Sequence, residues 1–113
     1  MRVKLVLVGL LTILLSGCIS GIPVNIDNRS ASELTNVVVS GKDFSESVGK
    51  IAAGGRAQVR VRPKGPSTVK VAFGASGQRY SATTPNTVEN DATYTVEAVV
   101  DPEFSISIAT SLR

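Results

Sequence analysis

The 113-residue chain contains no histidine and no tryptophan, one cysteine, one methionine, and only two tyrosines and three phenylalanines. Each scarcity excludes something. Without histidine, Ser-His-Asp and Cys-His nucleophilic chemistry cannot be assembled. A structural zinc site of the usual Cys/His kind has no ligand set. A single cysteine cannot close a disulfide within the chain, although small exported domains commonly rely on such bridges. With so few aromatic rings, the core must be built from Val, Ile and Ala.

Charge is also nearly absent as a signal. Twelve Lys and Arg stand against nine Asp and Glu. Arg2 and Lys4 lie ahead of an apolar run, and without them ten bases face nine acids. Nucleic-acid binding needs a clustered basic footprint, and this balance predicts no nucleic-acid partner.

What is present begins with that apolar run. Arg2 and Lys4 precede Leu5 to Leu15, which is interrupted only by Gly9 and Thr12. It is shorter than the roughly 20 residues of a membrane span and has the length of a signal-peptide core. Leu15-Ser16-Gly17-Cys18 follows, with two small residues before the cysteine. This stretch resembles the lipobox of bacterial lipoproteins. The resemblance implies diacylglyceryl transfer to the Cys18 thiol, cleavage between Gly17 and Cys18, and acylation of the new amino group. It also implies a membrane partner through the lipid. In enteric bacteria an Asp after the lipidated cysteine favours retention in the inner membrane. Ile19 occupies that place, so the expected location is the outer membrane, facing the periplasm. Residues 1–17 then form the signal peptide, 18–23 a lipidated tether and 24–113 one domain.

From Val24 onward the apolar period is two, which predicts strands. Val24–Asp27 alternates and stops at Asn28, and Arg29–Glu33 reads as a turn. Leu34–Ser40 carries Val37, Val38 and Val39, a β-branched run expected to be buried on both faces. Phe44–Ile51 is a weaker strand, followed by a glycine turn at Ala52–Gly55. Arg56–Pro63 places Ala57, Val59 and Val61 on one face and Arg56, Gln58, Arg60 and Arg62 on the other. Val69, Val71 and Phe73 alternate next, and Ala75-Ser76-Gly77 reads as a hairpin connection before a strand centred on Tyr80. Thr83–Asp91 reads as a loop. Tyr94–Val100 and Phe104–Ala109 alternate again, with Thr110–Arg113 expected to fray.

Seven to eight short strands and no extended helical period predict an all-β fold, a single antiparallel β-sandwich, with a small β-barrel as the alternative. The stretch Asn28–Gly41, with Leu34, Asn36 and the Val-rich strand, resembles immunoglobulin-like and transthyretin-like sandwich domains of bacterial envelope proteins. Gly49, Ile51 and Gly54 ahead of the amphipathic strand fit the same pattern. That resemblance implies a fold and no activity.

Candidate sites are few. Asp43 with Glu46, and Glu89 with Asp91, are the carboxylate pairs a glycosidase would need, yet both fall in expected loops where solvated acids are usual. Glu89, Asn90 and Asp91 offer oxygen ligands for a hard cation but match no known calcium-loop spacing. No catalytic residue, metal site or cofactor is therefore assigned. Arg56, Arg60 and Arg62, with Lys64 beyond, form a basic stripe that could meet lipid headgroups, lipopolysaccharide phosphates or an acidic partner. Ser76-Gly77-Gln78-Arg79-Tyr80 resembles the S-G-x-x-Y element of membrane-bound lipoprotein inhibitors of lysozyme. In that family the element helps fill the lysozyme cleft; by the resemblance Ser76 and Tyr80 would be the carried-over positions, with Gly77 part of the motif. The accompanying downstream lysine has no counterpart after Lys70. The expected function is a non-catalytic binding or structural accessory module of the cell envelope with a protein partner; lysozyme inhibition and headgroup binding are the alternatives.

Overall fold

A computed structural model describes residues 21–89 and 93–112. They form eight strands: β1 (Ile22–Asn28), β2 (Leu34–Ser40), β3 (Ser45–Ile51), β4 (Arg56–Val61), β5 (Lys70–Ala75), β6 (Gln78–Thr83), β7 (Tyr94–Val100) and β8 (Ile106–Leu112). Two four-stranded sheets result, ordered β4-β1-β7-β8 and β3-β2-β5-β6. The fold is the expected β-sandwich. All pairs are antiparallel except β1 with β7, which run parallel.

The core follows from period two. Val24 and Ile26 of β1, Val61 of β4, Val71 and Phe73 of β5, and Val96, Ala98 and Val100 of β7 meet between the sheets, all buried. Burying each such Val, Ile or Phe side chain contributes about 1.5–3 kcal/mol, which is how a chain without disulfides holds two sheets together. Phe73 stacks on Tyr80 with ring centroids 5.4 Å apart, and Tyr80 meets Phe104 at 5.2 Å. Three of the chain's five aromatic rings thus form one column along the β5, β6 and β8 side.

Several expectations need correction. β1 begins at Ile22, so Ile22 and Pro23 belong to the sheet and not to a tether; Ile22 is fully buried. Its backbone pairs with Val61 of β4, and the apolar interior reaches the very start of the domain. β8 runs to Leu112 in register with Tyr94, so Thr110–Leu112 is paired strand and not a frayed tail. Thr83–Asp91 is not wholly loop either. Val88 is fully buried and forms an isolated bridge with Ser67, exchanging hydrogen bonds of 3.0 and 2.8 Å.

The valine run of β2 is not buried on both faces. Val37 and Val39 are fully buried while Val38 is half-buried. Val37, Val38 and Val39 alternate as in any strand with one face on the core; the irregularity of this strand pair is a pair of compensating bulges. Between Leu34 and Val37, β2 takes three steps while β3 takes two; between Val37 and Val38, β3 takes two steps while β2 takes one. Asn36 (φ 47°) and Gly49 (φ 90°) supply the left-handed backbone at these places. An extra residue reverses the side-chain alternation, so Leu34 and Val37 both point inward despite their odd spacing.

Buried polar groups close both ends. At one end Asn28, fully buried, donates from Nδ2 to the carbonyls of Ser32 (2.9 Å), Ala52 (3.0 Å) and Ile51 (3.2 Å). Its Oδ1 accepts from the Ser30 amide (3.0 Å) and hydroxyl (2.7 Å). One amide therefore ties the β1–β2 turn to the β3–β4 turn. At the other end Ser67 Oγ accepts from the Lys42 amide at 2.9 Å, and Thr84 Oγ1 accepts from the Val69 amide at 3.0 Å.

Candidate functional site

Strand directions bring distant residues to one end of the β4-β1-β7-β8 sheet. β1 starts at that end. The antiparallel β4 finishes there, the parallel β7 starts there, and β8, antiparallel to β7, finishes there. Gly21, Val61, Tyr94 and Leu112 therefore share one rim, with Asn28, Arg56, Val100 and Ile106 at the opposite rim.

This geometry divides the basic stripe. Arg56 lies at the far rim, where its Nε is 3.7 Å from Asp27 Oδ1; Arg29 Nε donates to Asp27 Oδ2 at 2.9 Å. Arg60 lies at the near rim, half-buried, and donates from Nη1 to the Gly21 carbonyl at 3.3 Å. Arg62 and Lys64 follow the end of β4 and are exposed. The stripe is thus not one continuous surface. Its far arginine lies beside an acid, while the rest gathers where the chain enters the fold.

Gly21 is the pivot of that entry. Its φ is 98°, a region that side chains disfavour. A Cβ there would lie 2.9 Å from the Val61 carbonyl oxygen and 3.1 Å from Arg62 Cγ. Arg60 and Arg62 consequently bracket the first described residue. Period-two reading put both arginines on one strand face but carried no sign that they would flank Gly21.

The outward face of the same sheet holds a second polar group. Gln58 Nε2 donates to Asn25 Oδ1 at 2.6 Å, and Asn25 Nδ2 donates to Glu97 Oε2 at 2.6 Å. With Asp27, Arg29, Arg56 and Val99 they line a shallow cleft of about 580 Å³. The polar positions of β1 and β7 were visible as alternation, but pairing across three strands was not. In this chain of two amides and one carboxylate, each side chain is hydrogen-bonded to its neighbour.

The remaining candidates separate. Ser76 (φ 51°) and Gly77 (φ 78°) are the two central residues of the β5–β6 hairpin. Positive φ at both matches a type I′ turn, whose twist suits paired strands. Tyr80 points into the aromatic column and is half-buried, with its hydroxyl 3.3 Å from Gln78 Oε1. The inhibitor-like string is thus accounted for by a turn and a packed ring. Asp43 and Glu46 are exposed around the start of β3. Cys18, Gly17, Asn90 and Asp91 lie outside the described residues, so the expected lipidation site and two of the three residues Glu89–Asp91 have no geometry to report. Among the described residues no three Asp, Glu, His or Cys side chains converge as a metal site would require.

No family model matches this chain, and no curated protein matches it. A solved structure similar to it is the NMR structure of a protein from Eubacterium rectale. The two are 12% identical with a TM-score of 0.55, over 82% of this chain and 88% of that one. At that identity the likeness concerns the fold alone.

Proposed function

We propose that this chain is a lipid-anchored lipoprotein of the bacterial envelope, whose sandwich serves as a non-catalytic binding or structural module at the outer membrane, facing the periplasm. The observation that carries this reading is the sequence Leu15-Ser16-Gly17-Cys18 after a basic start and an apolar run, only three positions before Gly21. Lipid at Cys18 would concentrate the domain at a membrane surface, where weak contacts with an envelope protein suffice. A binding role is favoured by the described surface: the cleft on the β4-β1-β7 face is shallow, and most of the polar side chains lining it are bonded to one another.

Labelled palmitate and intact mass decide the anchor. The wild-type chain should fractionate with membranes and carry acyl mass, and Cys18→Ser should lose both. Equal behaviour of the two proteins would refute the proposal. Crosslinking in intact envelopes then identifies the partner. Lysozyme inhibition is the weaker alternative, since Ser76, Gly77 and Tyr80 each have a structural task; inhibition at micromolar protein would revive it.

A further inference from the structure

We infer that the Gly21 rim of the β4-β1-β7-β8 sheet rests against an anionic bilayer surface, with Arg60, Arg62 and Lys64 meeting headgroup phosphates and Leu112 entering the interface. The inference rests on lipidation of Cys18 and adds the orientation of the domain and the chemistry of its contact.

The first argument is reach. Cys18 and Gly21 are three steps apart, which extended chain spans in at most about 11 Å. The headgroup layer of one leaflet is roughly 5–8 Å deep. The rim that carries Gly21 is therefore held within about a Debye length of the phosphates, whatever path the linking residues take.

The second argument is what that rim displays. Arg60 donates to the Gly21 carbonyl with one of the five N–H donors a guanidinium carries. The Arg62 side chain lies across Gly21, and Lys64 follows in the next loop, exposed. Two guanidiniums thus flank Gly21 and Lys64 follows in the β4–β5 loop at the same end, while Arg56, the fourth of the stripe, stands at the opposite rim beside Asp27. Among the described residues the acids of the near end are Asp43 and Glu46, around the start of β3 in the other sheet, and Glu89, in the segment that joins β6 to β7.

The third argument is Leu112. It is 72% exposed, the one large apolar side chain so exposed among the described residues. It closes β8 opposite Tyr94, on the same rim as Gly21 and three strand spacings, about 14 Å, from β4. A rim with cations at one corner and a leucine at the other fits a lipid–water interface, where charge meets phosphate and a leucine can bury area.

The test uses the full chain, processed and purified from membranes. Intact mass first establishes acylation. With Cys18 blocked by lipid, single thiols are introduced by Leu112→Cys at the near rim and Ser105→Cys at the far rim, and each is labelled with bimane. The proteins are reconstituted into phosphatidylethanolamine/phosphatidylglycerol vesicles containing headgroup-nitroxide lipid. Quenching at position 112 should exceed that at 105 by at least about twofold, and the excess should shrink in 0.5 M salt, in phosphatidylcholine vesicles and in Arg62→Gln, Lys64→Gln protein. Absence of acyl mass overturns the anchor and the orientation together. Acylated protein whose two labels quench alike overturns the orientation alone. An excess indifferent to salt, lipid charge and the double substitution overturns the phosphate contact.

Discussion

Replacing Asn28 by Ala should be among the most damaging single changes available outside the apolar core. Asn28 is fully buried, and its amide serves five polar partners from two turns. Truncation orphans the Ser30 amide and the Ile51 carbonyl, whose bonds to Asn28 are themselves buried. Leaving a buried polar group unpaired costs about 1–3 kcal/mol. The Ser32 and Ala52 carbonyls are only partly covered and recover water, and the Ser30 hydroxyl keeps the Ser32 carbonyl at 3.1 Å. Two orphaned groups therefore set the loss at roughly 2–6 kcal/mol, centred near 4, against a total stability of about 5–15 for a domain this size. Urea unfolding of the mature chain with Cys18→Ser, followed by circular dichroism, measures it. Asn28→Asp should fall at least as far, because it turns the donor toward three carbonyl oxygens into another acceptor. A loss below about 1 kcal/mol for Asn28→Ala would refute the reasoning that this amide holds the two turns together.

Tyr80→Phe removes only a 3.3 Å contact to exposed Gln78 and keeps the ring column, so the melting temperature should hardly move; Phe73→Ala empties a fully buried site and should cost about 3–5 kcal/mol by chemical denaturation. Ser76→Asn places a residue that tolerates left-handed backbone at the first central position of the β5–β6 turn and should raise the melting temperature by a few degrees; Gly77→Val should lower it, as calorimetry can check. At Asn36, with φ 47°, Asn36→Gly should be near neutral, whereas Asn36→Val should lose about 1–2 kcal/mol in urea because a β-branched side chain resists this conformation.

Most of the strand inventory could be read from alternation, because a strand half-buried in a sandwich repeats every two residues. Val69, Val71 and Phe73, or Tyr94, Val96, Ala98 and Val100, need nothing beyond local pattern to be placed on an inward face. Ser76-Gly77 announces its turn for the same local reason. The misreadings occur where a distant partner overrides the local rule. Val37–Val39 looks doubly buried until the second sheet is seen to cover one face only, and Leu34 looks outward until the bulge at Asn36 re-aims it. Val88 looks like loop until Ser67 pairs with it. Ile22 looks like tether until Val61 receives it.

Candidate sites divide along the same line. The lipobox-like stretch Leu15–Cys18 is a linear pattern, and the processing proposed for it would act on extended chain, so composition and order are enough to propose it. The basic stripe needed three dimensions. Alternation placed Arg56, Arg60 and Arg62 on one face, yet only the pairing of β4 with β1 separates Arg56, beside Asp27, from the two arginines at Gly21. Leu112 gains its place only through antiparallel pairing of β8 with β7 and parallel pairing of β7 with β1. Local periodicity thus determined which segments are strands and which way their side chains face. Long-range hydrogen bonding, which joins residues dozens of positions apart and leaves no mark on either segment alone, decided which strand ends meet and what surface they make.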